Sequence, residues 1–208
     1  MAEFDQRINM LFEKWESIFY KHQNDENVEV EIRFGKTNRG SFDTNIGKDT
    51  FEKVLRRLQR YQGWESVKET NSTVYYDESA NKRVTMDDAS EEMTCVVKKR
   101  VCIDNQPFEN LPFDVRLSVS TEVPYERIED DPDENFTRVR KKHRYSFVRK
   151  NLTIDVSEVS GDAEDKDDDT DTMYQLELEI IDPKKVENRA QLYNIINKVS
   201  DLSKIIVV

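Results

Sequence analysis

The feature that most constrains the fold of this chain is a strict alternation of apolar and charged residues at two distant places. Residues 28–34 read as a strand with one apolar and one charged face, and residues 176–180 repeat the pattern. The acids on these charged faces are Glu29, Glu31, Glu177 and Glu179. A single such segment is typical of a strand with a solvent-facing side. Two acidic pairs on two strands need a further explanation.

Other segments with a period of two also carry charge on one face. Together the alternating segments predict about eight strands, at 28–35, 72–77, 81–86, 93–102, 114–123, 137–149, 152–159 and 173–181. The one-sided charges outside the acidic pairs are Arg83, Lys98, Arg116, Glu122, Arg140, Lys142, Arg144 and Asp155. Charge therefore recurs on one face of nearly every strand.

Apolar stripes at helical spacing predict helices at about 3–22, between Gly47 and Gly63, and after Pro183. These stripes need an apolar surface to cover. We therefore predict an α+β fold in which the sheet curls into a barrel, with its charged faces inward and its apolar faces outward beneath the helices.

A length of 208 residues fits one domain spanning 1–208. The segment 161–172 is strongly acidic and is predicted to be a disordered loop. The net charge of −11 excludes a generally basic protein that coats nucleic acid, so a polyanion would need a local site. The sequence has no apolar stretch long enough for a membrane helix and no secretory signal, so we expect an intracellular protein that does not bind membranes.

Two cysteines and two histidines are too few for a zinc finger or a histidine-rich metal site, so a metal would be held by oxygen. Carboxylates about 5 Å apart repel by roughly 3 kcal/mol at an effective dielectric near 20. A lumen that gathers four glutamates should therefore bind a cation, and all-oxygen ligation favours Mg²⁺ or Mn²⁺. The inward arginines and lysines suit several phosphate charges, which points to a polyphosphate site.

Four segments in this order resemble the triphosphate tunnel metalloenzymes, and among them the metal-dependent RNA 5′-triphosphatases of fungal and large-DNA-virus mRNA capping. The similarity is greatest to the amino-terminal domain of giant-virus capping enzymes. The segments are Glu-Val-Glu-Ile-Arg-Phe-Gly at 29–35, Arg-Lys-Lys-His-Arg-Tyr-Ser-Phe at 140–147, Ile-Asp-Val-Ser-Glu-Val at 154–159 and Leu-Glu-Leu-Glu at 176–179. The resemblance implies an eight-stranded antiparallel tunnel with helices outside.

The resemblance also implies roles for single residues. Metal would be bound by Glu29, Glu31, Glu177 and Glu179, and water would be oriented by Glu122. The phosphate contacts would come from Arg83, Lys98, Arg116, Arg140, Lys142 and Arg144, with Asp155 and Ser157 in a supporting network. The expected reaction removes the γ-phosphate of triphosphate-ended RNA. Because the sequence has no KxDG motif, guanylyl transfer would be carried out elsewhere, and a viral source would imply the virion or host cytoplasm.

Three alternatives share parts of this pattern. An inorganic tripolyphosphatase or a nucleoside triphosphatase would use the same chemistry, and a non-catalytic barrel could hold a phosphorylated ligand. A glycosidase has no use for the inward bases. A P-loop enzyme is excluded because Gly35-Lys36-Thr37 lacks the upstream glycine.

Overall fold

The computed structural model describes residues 2–109, 111–128, 135–161 and 172–207. The helices are α1 (Ala2–His22), α2 (Lys48–Arg60), α3 (Arg189–Ile196) and α4 (Lys198–Val207), and a 3-10 turn spans Pro183–Lys185. The strands are β1 (Val28–Asn38), β2 (Ser41–Asp43), β3 (Ser66–Asp77), β4 (Lys82–Asp87), β5 (Met93–Gln106), β6 (Asp114–Pro124), β7 (Arg138–Arg149), β8 (Leu152–Ser160) and β9 (Met173–Ile180).

Eight of these strands close into a barrel. They follow the order β1-β6-β5-β4-β3-β7-β8-β9, and β9 pairs back onto β1. Every pairing is antiparallel. Closure leaves no unpaired edge in the ring, so the backbone donors and acceptors along the wall find partners within the sheet. The predicted eight-stranded antiparallel barrel with external helices is confirmed.

The hydrophobic core lies between the outer face of the barrel and the helices. Val30, Ile32 and Phe34 of β1 are almost fully buried there, as their alternation with charged residues predicts. Trp15 of α1 and Val54 of α2 are buried in the same cluster. The helices therefore cover the apolar side of β1, β6, β8 and β9, and the charged side of these strands faces the lumen.

The structure differs from the sequence prediction in a few elements. β2 was not predicted; it forms a hairpin with β1 through Arg39 and Gly40, whose φ angles of 47° and 86° lie in the left-handed region that tight hairpin turns require. The predicted carboxyl-terminal helix is divided into a 3-10 turn and two helices. The start of α3 is fixed by the Asn188 side chain, which accepts a hydrogen bond from the Gln191 N–H.

Two further observations concern the predicted loop and membranes. Of the predicted acidic loop at 161–172, residues 162–171 lie outside the described residues. Among the helices that the structure describes, none combines the length and the apolar character that a membrane crossing requires.

Candidate active site

Two acidic strands lie side by side in the wall, and their register aligns their charged residues. Glu31 of β1 is opposite Glu179 of β9, and Arg33 is opposite Glu177. Directly opposed residues of an antiparallel pair point to the same face. The two acidic segments, which are far apart in sequence, therefore form one acidic wall of the lumen.

Arg33 forms ion pairs with acids of both strands of this wall. Its guanidinium lies 3.0 Å from the Glu31 carboxylate and 3.2 Å from that of Glu177, and Lys142 Nζ lies 3.7 Å from Glu177. Burial alone would raise the pKa of Glu177, but Arg33 and Lys142 hold that pKa well below its usual range. Burial lowers the pKa of Lys142 to about 8, and repulsion from Arg144 contributes to this shift. Glu177 therefore stays ionised inside the barrel.

A second network links β1, β4, β5 and β6. Lys98 forms ion pairs with Glu29 and, at 3.0 Å, with Glu122; Arg83 lies 2.6 Å from Glu122. The Ser120 hydroxyl donates a hydrogen bond of 2.7 Å to Glu29. Burial opposes ionisation of Glu122, yet Arg83 and Lys98 lower its pKa. Glu122 is thus a charged carboxylate held between two bases.

The remaining predicted bases occupy other parts of the lumen. Arg144 pairs with Asp155 at 3.0 Å, and burial nevertheless raises the pKa of Asp155. Arg140 is opposite Val74 in the β3–β7 ladder. Arg116 is opposite Arg33 in the β1–β6 ladder. It donates to the Asn105 side chain at 2.7 Å and stacks on Phe42, with its guanidinium 4.4 Å from the ring centre.

Phe42 lies at one end of the barrel, close to the lumenal side of β1. A Cβ on Gly35 would come within 2.5 Å of the Phe42 ring and 2.1 Å of the Asp43 carbonyl oxygen, so only glycine allows this approach. The Thr44 hydroxyl accepts a hydrogen bond from Gln175 of β9. Residues 41–46 therefore span from β1 to β9 at the end of the barrel where Arg116 lies.

Glu179 has the most unfavourable acidic environment of the site. Burial, together with repulsion from Glu29, Asp155 and Glu31, raises its pKa to about 7, against a smaller opposing effect of Arg144. An excess of carboxylate oxygen at one point is the chemistry that a hard divalent cation would relieve. The residues therefore fit Mg²⁺ or Mn²⁺ by donor type.

The lumenal carboxylates are spread along the wall and pair with bases. Among the described residues, no three acidic, histidine or cysteine side chains form a group compact enough to hold a metal ion. Arg33 and Lys98 instead pair with the acids. Binding of a cation would therefore require Glu31 or Glu29 to turn away from its base.

Four residues of the site were not predicted from the sequence. Arg33 has the same parity as Glu29 and Glu31, so its inward direction was visible, but its central position depends on the register of β1 with β9. The other three support predicted residues: Ser120 bonds Glu29, Asn105 accepts from Arg116, and Phe42 stacks on Arg116.

The arrangement can be compared with known proteins. Residues 61–207 match the sequence family described as mRNA capping enzyme, beta chain. The chain belongs to this family. The predicted resemblance to capping triphosphatases is thereby confirmed. One curated member, the mRNA-capping enzyme subunit beta of Yarrowia lipolytica, is 28% identical over 131 residues; the match covers 58% of this chain and 32% of the relative. The chain thus spans about a third of that relative.

Two solved structures share the fold. The RNA triphosphatase Pct1 of S. pombe superposes with a TM-score of 0.70 at 18% identity, covering 99% of this chain and 92% of Pct1. The capping enzyme triphosphatase of Mimivirus gives a TM-score of 0.65 at 18% identity, covering 93% of this chain and 95% of the viral one. At this identity the likeness establishes the tunnel fold.

Proposed function

We propose that this chain is a metal-dependent RNA 5′-triphosphatase that removes the γ-phosphate of triphosphate-ended RNA as the first step of mRNA capping. The observation that carries the proposal is the lumen, where an acidic wall of β1 and β9 lies within ion-pair distance of Arg33, Lys98 and Lys142. Membership of the capping enzyme family supports the same function. A guanylyl-transferring domain or protein would act next on the diphosphate end.

Phosphate binding is the task of the lumenal bases. Arg144 and Arg83 offer forked donors, and Lys142 offers a compact ammonium group whose pKa burial lowers to about 8. Arg144 is paired with Asp155 and Lys142 with Glu177, so an incoming phosphate would exchange one anionic partner for another. Arg83 can keep its pair with Glu122, because its buried Nε has no hydrogen-bond partner among the described residues. These ion pairs keep the bases oriented before the substrate arrives, which lowers the reorganisation that binding requires.

The metal would be held by Glu29, Glu31, Glu177 and Glu179, with Mg²⁺ or Mn²⁺ as the fitting ions. When bound, such an ion supplies charge stabilisation for the transferring phosphoryl group. Arg33 then has a second role. Since it lies 3.0 Å from Glu31 and 3.2 Å from Glu177, it would limit the repulsion between these acids before an ion binds.

Hydrolysis needs a water in line with the scissile bond. We assign its orientation to Glu122, whose lowered pKa keeps it ionised and able to accept a hydrogen bond from that water. The water oxygen attacks the γ-phosphorus while the bond from the γ-phosphorus to the β–γ bridging oxygen breaks, and the protons of the water remain with the released phosphate. The products are inorganic phosphate and RNA with a 5′-diphosphate. Arg83, 2.6 Å from Glu122, fixes the direction of that carboxylate.

The decisive experiment follows release of phosphate from RNA labelled at its terminal phosphate. The purified chain is assayed on this RNA, on ATP and on tripolyphosphate, each with Mg²⁺, with Mn²⁺ and with chelator. We expect metal-dependent release with a higher kcat/KM for RNA. A higher kcat/KM for tripolyphosphate or ATP would assign the chain to one of the alternative phosphatases, and binding without release would make it a non-catalytic barrel.

A further inference from the structure

A groove outside the barrel has a composition that suits single-stranded RNA. It has a volume of about 750 Å³ and lies between α2, α3, α4 and the β7–β8 turn. We call it the outer groove. Among the described residues, its basic lining residues are Arg57, Arg149, Lys150, Lys185 and Lys198, and its one acidic lining residue is Asp201. Much of the remaining lining is apolar, with Leu58, Ile154 and Ile205 among its residues. In a chain of net charge −11, this local excess of bases favours a polyanion, even though Lys185 and Lys198 form ion pairs with Asp182 and Asp201.

The basic character continues beyond the groove. A second cavity shares Arg57 with it and is lined further by Lys53, Arg56, Arg60 and Lys204. Within the described parts of the chain, no acidic side chain forms an ion pair with Arg57, Arg60 or Lys150, and all three are exposed. Unpaired exposed bases along one face can each take a backbone phosphate.

Aromatic side chains lie among these bases. Tyr61 and Trp64 line the outer groove, and Tyr61 is 43% exposed. Arg149 lies over the Tyr61 ring at 5.3 Å and donates a hydrogen bond to its hydroxyl. Aromatic rings interleaved with bases are the pattern of single-strand binding, because nucleobases stack on the rings while phosphates meet the cations. An acidic peptide would match the charge but would leave the basic extension beyond the groove unused.

The outer groove also reaches the rim of the tunnel. Leu152 and Ile154 of β8 line the groove, whereas Thr153 between them is opposite Glu179 in the β8–β9 ladder. The β7–β8 turn at Lys150 is therefore the rim of the lumen on the Glu179 side. At the other end of the barrel, the Phe42 ring occupies the space beside Gly35 and Arg116. An RNA whose 5′-triphosphate lies in the lumen could therefore leave by the Lys150 rim, next to the outer groove.

We propose that the outer groove binds the first nucleotides of the RNA substrate behind its 5′-triphosphate. The proposal rests on the proposed function for the identity of the substrate, although the groove itself can be tested without catalysis. It predicts that the affinity for RNA exceeds that for tripolyphosphate because of contacts outside the tunnel. Stacking and phosphate contacts would make this extra affinity dependent on RNA length rather than on sequence.

The test uses two triple variants with the same change in net charge. The groove variant carries Arg57→Glu, Arg60→Glu and Lys150→Glu. The control carries Lys21→Glu, Lys99→Glu and Lys141→Glu, which are exposed residues outside the groove. Circular dichroism and thermal unfolding check that both variants fold as the parent chain does.

Binding is measured by fluorescence anisotropy with a 12-nucleotide RNA that ends in a 5′-hydroxyl, so that no triphosphate is present. The groove variant should bind at least about tenfold more weakly than the control, and the slope of log Kd against log salt should fall by about 2, since three phosphate contacts are lost. Equal affinities of the groove and control variants would overturn the proposal. So would binding of a synthetic Glu- and Leu-rich amphipathic peptide in place of this RNA, which would make the groove a protein interface.

Kinetic measurements distinguish RNA binding in the outer groove from the proposed triphosphatase activity of the lumen. The groove variant should raise KM for triphosphate-ended RNA about tenfold while leaving kcat and KM for tripolyphosphate at the parental values. Equal losses of kcat/KM on RNA and on tripolyphosphate would show that the substitutions disturb the tunnel. That result would contradict a role of the outer groove in binding RNA. If the parent chain hydrolyses no triphosphate at all, the proposed function fails, while the 5′-hydroxyl RNA still decides the groove.

Discussion

The two faces of the barrel wall are built from alternate residues of the same strands, yet they are stabilised in opposite ways. Phe147 on the outer face of β7 is fully buried against the core, whereas its neighbour Ser146 is opposite Asp155 on the lumenal face. The outer face gains free energy from apolar burial, which is not directional. On the lumenal face, burial removes hydration from charged groups, and only specific ion pairs offset that loss of free energy. The outer face therefore supplies most of the stability, and the lumenal face supplies the charged residues of the site.

Phe147→Ala should give the largest loss of stability. The ring is 0% exposed and lies 5.4 Å from the ring of Trp64, so truncation removes burial and leaves a cavity. We expect the free energy of unfolding to fall by about 3–5 kcal/mol, measured by urea denaturation. Ser146→Ala, one residue away on the lumenal face, should change it by less than about 1 kcal/mol. Similar losses for the two variants would remove the contrast between the faces.

Glu31→Gln, on the lumenal face, should reduce activity strongly and leave stability almost unchanged. It removes one charge from the acidic wall, while the amide oxygen can still accept from Arg33. We expect kcat/KM on triphosphate-ended RNA to fall about 10²- to 10³-fold with little change in the unfolding midpoint. Glu158→Gln is the matched control, because Glu158 alternates with Ser157 and lies on the outer face of β8. A comparable loss of activity in the control would contradict a special role of the lumenal acids.

The alternation of β1 predicts this two-faced wall from sequence because the side-chain period of a strand is two. It cannot predict which lumenal residues meet. Arg33 contacts Glu177 only because β1 and β9, distant in the chain, pair in one register. The outer groove is harder still, because Tyr61, Lys150 and Lys198 come from three separate elements and share no periodic pattern.

Mg²⁺ should stabilise the lumenal face and leave the outer face unaffected. An ion that binds only the folded chain adds about 2.7 kcal/mol at a concentration of 100 Kd. We expect the unfolding temperature of the parent chain to rise with Mg²⁺ and to return on addition of chelator. A Glu31→Gln, Glu179→Gln double variant should lose most of this rise, because these two acids are directly opposed in the wall. A rise of the same size in the double variant would place the ion elsewhere.

Asp114, at the start of β6, should give the smallest effect of these substitutions. Its carboxylate accepts hydrogen bonds from the backbone N–H groups of Thr37 at 2.8 Å and Phe108 at 3.0 Å. Burial opposes its ionisation, but these bonds, with the nearby Lys36, lower its pKa. A carboxyl group whose pKa is lower in the folded state stabilises the fold above its unfolded pKa of about 3.9, and this contribution is lost as pH falls through the folded pKa.

Asp114→Asn should therefore lower the free energy of unfolding by about 1–3 kcal/mol at pH 7, since one of the two accepting oxygens becomes an NH2 group and the other loses its charge. The difference between variant and parent should shrink as the pH is lowered towards 3, because protonation removes the same charge from the parent. Urea denaturation across this pH range measures both quantities. A difference that stays constant with pH would mean that the amide disturbs packing, and that the charge of Asp114 contributes little to joining β6 to the end of β1.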